Sequence, residues 1–216
     1  MIAKLKEIID REVIAIENIP ITEAYDKAVN LIIEQIHYKK GKLVCSGMGK
    51  AGQIASNMAT TFSSTGTTAC FLHPSEAQHG DLGILCENDL MLLISNSGKT
   101  REIIELIDLA RNLIPKMKFI VITGDEESTL AKSADVCLLT GNPKEVCPLG
   151  LTPTTSTTVM TVMGDLLVVE TMKRIDFSAS DYAKRHHGGY LGAVSRMQSQ
   201  KKSWNIKSNK EPIHIQ

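Results

Sequence analysis

The sequence predicts an α/β fold built on a doubly wound parallel sheet. Five short runs are almost wholly apolar and rich in leucine or β-branched residues, as parallel strands are when both of their faces are covered. They are KLVCSG (42–47), TACFL (68–72), LMLLIS (90–95), KFIVIT (118–123) and DVCLL (135–139). Segments with helical periodicity alternate with these runs, which implies right-handed crossovers. We therefore expect ligands to bind beyond the carboxyl ends of the strands.

The helices are predicted from the spacing of their apolar residues. Two N-terminal helices cover 2–17 and 23–39, with Pro20 and Thr22 at the break between them. Further helices are predicted between the strands, at 50–64, around 76–82, at 100–113 and at 127–133. After the last strand, a long loop leads into a helix from about Pro153 to Arg174, with Thr152 as its N-cap.

The length and composition favour one domain with a small-molecule partner. The 216 residues suffice for one α/β domain over 1–197, with the N-terminal helices in 1–40 and a polar tail over 198–216. The tail lacks periodicity, so we expect it to be loose or to dock on a neighbour. Lys plus Arg equals Asp plus Glu, 24 each, which argues against a nucleic-acid or anionic-membrane partner.

The expected location is the cytoplasm. The five cysteines are scattered and form no C-x-x-C pair, which fits a reducing compartment. No apolar segment is long enough to span a bilayer, and the charged N-terminus lacks the apolar block of a signal peptide.

Two glycine loops resemble nucleotide motifs, and neither fits fully. GMGKAG (47–52) matches the G-x-G-x-x-G dinucleotide pattern after a strand. However, His73 follows the second strand, where an acidic residue should bind the ribose. SNSGKT (95–100) ends like a P-loop, but Leu93 occupies the position of the leading glycine. Both nucleotide interpretations are therefore disfavoured.

SNSGKT retains three hydroxyls, Ser95, Ser97 and Thr100, at a predicted helix N-terminus. Free backbone N–H groups and the helix dipole suit such a turn to a single phosphate. The alternative is that these residues only cap the helix. Two more hydroxyl-rich turns, FSSTGTT (62–68) and TPTTSTT (152–158), favour the phosphate interpretation.

Several motifs together are similar to those of a known family. GMGKAG, STGT, HPSEAQHGDLG, ISNSGKTREI, VITGDEES, KEVCPLGLTPTTSTT, MGDLL and HHGGYLG occur in that order over roughly 30–195. The chain thus resembles the sugar isomerase (SIS) family, and among its members the arabinose-5-phosphate isomerases. The resemblance implies a flavodoxin-like three-layer α/β/α sandwich with a five-stranded parallel sheet. It also implies a homotetramer, a dimer of dimers, with active sites near subunit interfaces.

The activity implied is interconversion of D-ribulose 5-phosphate and D-arabinose 5-phosphate through an enediol, which supplies a precursor of Kdo. Three departures stand out. The pair of CBS domains that follows the SIS domain in longer members is missing from this sequence. His187 replaces a proline in HHGG, and Lys99 stands where the family often has an acidic residue.

The family's catalytic residues carry over to Lys50, Glu102, Glu145 and His186. Lys50 could stabilise an oxyanion, or it could be a solvated lysine opening a helix. Glu145, flanked by apolar residues, is expected to have a raised pKa and to act as the base, with Glu102 as shuttle or orienter. Glu102 could instead only complement the helix dipole. His186 could open the sugar ring, delivered from a neighbouring subunit.

The predicted substrate-binding residues share a place in the glycine and hydroxyl turns or follow the second strand: Gly49, Ser64, Gly66, Thr67, His73, His79, Ser95, Ser97, Thr100 and Thr154. His73, Glu76 and His79 could alternatively share a helix face and hold zinc, although Pro74 and the lack of a fourth ligand weaken this. Proton-transfer isomerisation needs no cofactor, so any such metal would be adventitious or inhibitory.

Two other functions stay open. The same fold could serve as a non-catalytic phosphosugar-binding regulator, or it could isomerise another phosphosugar such as a hexulose 6-phosphate. Retention of all four candidate catalytic residues favours an enzyme, because a regulator needs only the phosphate site.

Overall fold

A computed structural model describes the backbone of residues 1–208 and the side chains of residues 1–199. The described residues form a five-stranded sheet in the order β2-β1-β3-β4-β5, with every neighbouring pair parallel. The strands are β1 (Leu43–Gly47), β2 (Ala69–Phe71), β3 (Leu90–Ile94), β4 (Lys118–Thr123) and β5 (Val136–Leu139). The predicted fold class is confirmed, and each predicted strand is correct to within one residue at either end.

Helices cover both faces of this sheet. They are α1 (Ile2–Glu17), α2 (Glu23–Ile32), which continues as a π-helix (Ile33–Tyr38), α3 (Gly49–Ser64), α4 (Pro74–Ala77), α5 (Arg101–Leu113), α6 (Thr129–Lys132), α7 (Thr155–Arg174), α8 (Ala179–Arg185) and α9 (Gly189–Ser208). Helix α4 and a 3₁₀ turn (Asp81–Ile84) replace the continuous helix expected around 76–82. Among the described residues, no helix combines the length and the apolarity needed to cross a bilayer.

Two apolar clusters hold the layers together. Successive side chains of a strand point to opposite faces, so Leu43 and Cys45 join one cluster while Val44, between them, joins the other. The first cluster packs α2, α3 and α7 against the sheet, and the second packs α4, α5 and α6. The strands are therefore buried on both faces, as their sequences predict.

The strand order reverses beside β1, which has β2 on one side and β3 on the other. In an open parallel sheet, this switch point leaves a crevice at the carboxyl ends of the strands. The GMGKAG loop lies here, and its first and last glycines serve packing: a Cβ on Gly52 would lie 2.5 Å from the carbonyl oxygen of Gly47, and a Cβ on Gly47 would lie 2.9 Å from the carbonyl oxygen of Ala51. Close contact between β1 and α3 thus accounts for the dinucleotide-like spacing.

Two boundaries differ from prediction. Helix α7 begins at Thr155, with Thr154 rather than Thr152 as N-cap, because the Glu145 carboxylate accepts hydrogen bonds from the backbone N–H groups of Thr154 and Ser156. Helices α8 and α9 were not predicted, and α9 includes residues 198–208 of the tail that was expected to be loose or to dock on a neighbour. The rest of the predicted tail, 209–216, lies outside the described residues.

Candidate active site

A cavity of about 910 Å³ lies at the carboxyl edge of the sheet, where the N-termini of α3, α5 and α7 converge. Five predicted site residues line it: Lys50, Ser95, Ser97, Thr100 and Glu145. Three helix N-termini direct their positive dipole ends toward one space. The cavity is therefore suited to an anionic ligand.

The SNSGKT turn forms one wall of the cavity. Ser95 is buried directly after β3, and its Oγ lies 2.7 Å from Oγ1 of Thr100. Thr100 is the N-cap of α5, but within the described structure its side chain makes no capping hydrogen bond. Ser97 Oγ accepts a hydrogen bond from the N–H of Lys99 at 3.2 Å. Because the Thr100 side chain accepts no hydrogen bond from the start of α5, the first N–H groups of this helix stay available to a phosphate.

The charge of the cavity also favours an anion. Among the described side chains that line it, four are cationic: Arg11, Lys50, Lys99 and Lys144. Two are acidic, Asp125 and Glu145, and Asp125 is paired with Lys99 at 3.3 Å. Sequence reasoning missed Arg11 and Lys144, since nothing in the sequence indicates that α1 reaches the loop after β5.

Glu145 is held at the N-terminus of α7. Its Oε2 accepts hydrogen bonds from the N–H of Thr154 at 2.6 Å and from Oγ1 of Thr154 at 2.7 Å, and from the N–H of Ser156 at 3.4 Å. Partial burial raises the pKa of Glu145, but the hydrogen bonds from Ser156 and Thr154 together outweigh burial and lower it. The expected rise in pKa is therefore wrong. Thr154, which is predicted to touch substrate, donates two of the hydrogen bonds that hold this carboxylate.

Glu102 occupies the first turn of α5 and is half-buried. Its side chain is not among the described residues that line the cavity. Lys50 and Gly49 open α3; Gly49 has φ +56°, and the space above it is open. In a single chain, Lys50 and Glu145 share the cavity while Glu102 stands outside its lining.

His186 lies far from this cavity. Helix α7 has 20 residues and runs from the cavity toward the opposite edge of the sheet, a length of about 30 Å. Beyond it, the His186 ring stacks on Tyr182 with centroids 3.7 Å apart. Phe177, in the same segment, lies close to Gly66, where an added Cβ would be 2.8 Å from its ring. His186 thus belongs to the segment that follows α7, and it is not among the described residues that line the cavity.

Three further predicted residues precede β2, and therefore lie at the amino edge. Ser64 Oγ donates to the carbonyl of Thr61 at 2.9 Å, and Thr67 Oγ1 lies 3.0 Å from Nε2 of His37. Gly66 has φ +98°. These residues and His186 do not line the cavity of the described chain.

The histidines after β2 do not form the triad considered for a metal. His73 caps α4, with its Nδ1 accepting from the N–H of Ser75 at 3.3 Å, and His79 is exposed. Helix α4 ends at Ala77, so it is too short to align His73, Glu76 and His79 on one face. Within the part of the chain that the structure describes, no three His, Cys, Asp or Glu side chains converge on a metal site.

Comparison with known proteins agrees with this architecture. The SIS domain model matches residues 36–170. The arabinose 5-phosphate isomerase KdsD of Shigella flexneri is 48% identical over 186 residues, which cover 84% of this chain and 56% of that protein. KdsD of Escherichia coli K12 is 47% identical with the same coverage. The chain spans about half the length of these curated relatives.

Two solved structures are also similar. A Bacteroides fragilis protein, described as a candidate phosphosugar isomerase involved in capsule formation, is 70% identical with a TM-score of 0.87, covering 88% of this chain and 99% of that one. An Escherichia coli CFT073 protein in complex with arabinose 5-phosphate is 35% identical with a TM-score of 0.77, covering 86% and 96%. The extent of the family match and these identities show that the chain belongs to the SIS domain family.

Proposed function

We propose that this chain is an aldose–ketose isomerase that interconverts D-arabinose 5-phosphate and D-ribulose 5-phosphate through an enediol. The observation that carries the proposal is one cavity whose lining brings the hydroxyls of the SNSGKT turn together with a carboxylate and a lysine. The activity of the KdsD relatives and the sugar-phosphate complex of the Escherichia coli CFT073 protein support this substrate. The product would feed Kdo or capsule synthesis, in line with the Bacteroides fragilis relative.

The phosphate would bind at the N-terminus of α5, among Ser95, Ser97 and Thr100. Hydroxyls and backbone N–H groups provide direct hydrogen bonds, while the cavity's cations raise the local concentration of a dianionic substrate. Anchored there, an open-chain pentose would extend its carbonyl end toward the N-termini of α3 and α7, where Lys50 and Glu145 lie.

The reaction requires a base that removes the C2 proton of the aldose, leaving an enediolate across C1 and C2. The carbon proton then returns to C1, while a proton moves from the C2 oxygen to the C1 oxygen. We assign the carbon proton to Glu145, since it lines the cavity and its lowered pKa keeps it ionised at neutral pH. Lys50 would stabilise the enediolate oxygen, and Glu102 would serve the oxygen-to-oxygen transfer. No step needs a cofactor.

His186 would complete the site from a neighbouring subunit, to open the cyclic sugar or relay a hydroxyl proton. The distance set by α7 supports delivery from another chain, as in a homotetramer. Mixed oligomers test this. Combining inactive Glu145→Gln with inactive His186→Ala chains should restore part of the activity, whereas no recovery in verified mixed oligomers would contradict the shared site.

Incubation with arabinose 5-phosphate in deuterated water tests the activity itself. We expect ribulose 5-phosphate to form, with solvent deuterium entering the carbon skeleton of recovered sugar. Glu145→Gln should abolish both, while Glu7→Gln, an exposed change on α1, should preserve them. Binding without turnover would instead indicate a regulator, and turnover of a hexulose 6-phosphate alone would move the assignment to another phosphosugar.

A further inference from the structure

Helix α1 buries a carboxylate beside the candidate active site. Oε1 of Glu12 accepts a hydrogen bond from Oγ1 of Thr155, the first residue of α7, at 2.9 Å. Oε2 of the same group is buried, and no described side chain or backbone group bonds to it. Leaving a buried polar oxygen unpaired costs about 1–3 kcal/mol, and more for a charged group. Packing alone does not explain this glutamate, since an apolar side chain of similar length would avoid the cost.

The bond from Glu12 leads to the loop that carries Glu145. Oγ1 of Thr155, which donates to Glu12, accepts from the N–H of Val146 at 3.2 Å. The neighbouring Thr154 Oγ1 accepts from the same N–H at 3.2 Å and donates to the Glu145 carboxylate. Glu12 thereby fixes the direction of the Thr155 O–H bond. The lone pairs of Thr155 Oγ1 are then free to accept the hydrogen bond from the Val146 N–H.

Arg11, the preceding residue of α1, holds the same loop from its other side. Its Nη2 donates to the backbone carbonyl of Glu145 at 3.0 Å. Arg11 thus contacts the carbonyl of Glu145 directly, and Glu12 contacts the N–H of Val146 through the Thr155 hydroxyl. The peptide group between Glu145 and Val146 is therefore tied to α1 at its carbonyl and, through Thr155, at its N–H, while the Glu145 carboxylate is tied to the start of α7.

We propose that Glu12 is a positioning residue, which acts through Thr155 to hold the Glu145 carboxylate at the angle that proton transfer requires. This rests on the proposed isomerase function. Glu12 is not among the described residues that line the cavity. A small misplacement of a catalytic group can lower the rate by up to about 100-fold, so Glu12 should affect turnover more than binding.

The experiment compares Glu12→Met and Glu12→Gln with Glu7→Met, a matched change at an exposed position of α1. Glu12→Met should fold with an unchanged or higher unfolding midpoint, because it removes a buried unpaired oxygen. Its kcat for arabinose 5-phosphate should fall about 10- to 100-fold, with KM within about twofold. Glu12→Gln keeps an acceptor for Thr155 and should retain most of kcat, as should Glu7→Met.

Thr155→Val tests whether Glu12 acts through the Thr155 hydroxyl. If Glu12 acts through Thr155, adding Glu12→Met to Thr155→Val should lower kcat no further, and multiplied losses would overturn the proposal. A wild-type kcat in Glu12→Met would also overturn it. Hydrogen exchange at the Val146 amide provides a test that does not depend on catalytic activity. We expect this exchange to be faster in Glu12→Met than in the wild type. An inactive wild type with that acceleration would refute the isomerase while showing that Glu12 holds the Glu145 loop, whereas unchanged exchange would refute the positioning role.

Discussion

Replacing Gly98 with alanine should destabilise the protein and distort the phosphate site together. Gly98 lies in the SNSGKT turn with φ +62°. A Cβ added there would lie 2.1 Å from Oγ and 2.3 Å from Cβ of Ser128, the N-cap of α6. Rotation about χ1 can move the Oγ of Ser128 but not its Cβ, so the overlap with Cβ remains in every rotamer.

The magnitude has two parts. A left-handed conformation costs a residue with a Cβ about 1–2 kcal/mol, and overpacking in a filled site costs a further ~1–3 kcal/mol. Gly98→Ala should therefore lower the free energy of unfolding by about 2–5 kcal/mol. Gly49→Ala is the control: its φ is +56°, but no atom lies within 4 Å of the added Cβ, so only the conformational part applies.

Urea denaturation of Gly98→Ala and Gly49→Ala separates the conformational cost from the steric cost. Adding Ser128→Gly to Gly98→Ala should recover most of the steric part, because glycine removes both overlapping atoms and replaces serine as an N-cap at a cost of a few tenths of a kcal/mol. The KM for the phosphosugar should rise in Gly98→Ala, since the turn positions Ser95 and Ser97. Equal losses for Gly98→Ala and Gly49→Ala would refute the steric argument.

Three other changes test the site and the fold. Thr154→Val removes a hydrogen bond that lowers the pKa of Glu145, so that pKa should rise and the acidic limb of kcat/KM against pH should move to higher pH. Lys50→Gln should lower kcat by about 100-fold if Lys50 stabilises the enediolate, as steady-state kinetics will measure. Asp89→Asn should lower the free energy of unfolding by about 3 kcal/mol in urea, because the Asp89 side chain is 1% exposed and pairs with Lys42.

The fold was predictable because its signals are local. Strands buried on both faces must be apolar at nearly every position, so β1 and β3 are visible as unbroken runs. The carboxyl-edge location of Lys50 and the SNSGKT hydroxyls follows from strand direction alone. The start of α7 was misplaced because a carboxylate nine residues upstream of Thr154 satisfies its first N–H groups, and helix propensities do not include such a partner.

The environment of Glu145 could not be predicted for the same reason. Flanking apolar residues indicated burial and a raised pKa, whereas the outcome depends on hydrogen bonds that exist only once the loop meets α7. Arg11 and Glu12 were invisible as site residues, because the periodicity of α1 shows which face packs and not which loop it meets. Tertiary contacts, rather than residue type, determine these roles.

The separation of the predicted residues bears on how the proposed enzyme must work. Lys50 and Glu145 line the cavity at the carboxyl edge, whereas Gly66 lies at the amino edge and His186 follows α8, beyond the roughly 30 Å of α7. Hinge motion within one chain cannot join these edges without breaking the core that α7 shares with α3 and the sheet. A site that uses all of these residues must therefore form between chains, so that turnover would depend on assembly while phosphate binding at α5 would not. Measuring both on the same oligomerisation-deficient variant separates the two: loss of turnover with phosphate binding retained supports the shared site, and full turnover by a monomer contradicts it.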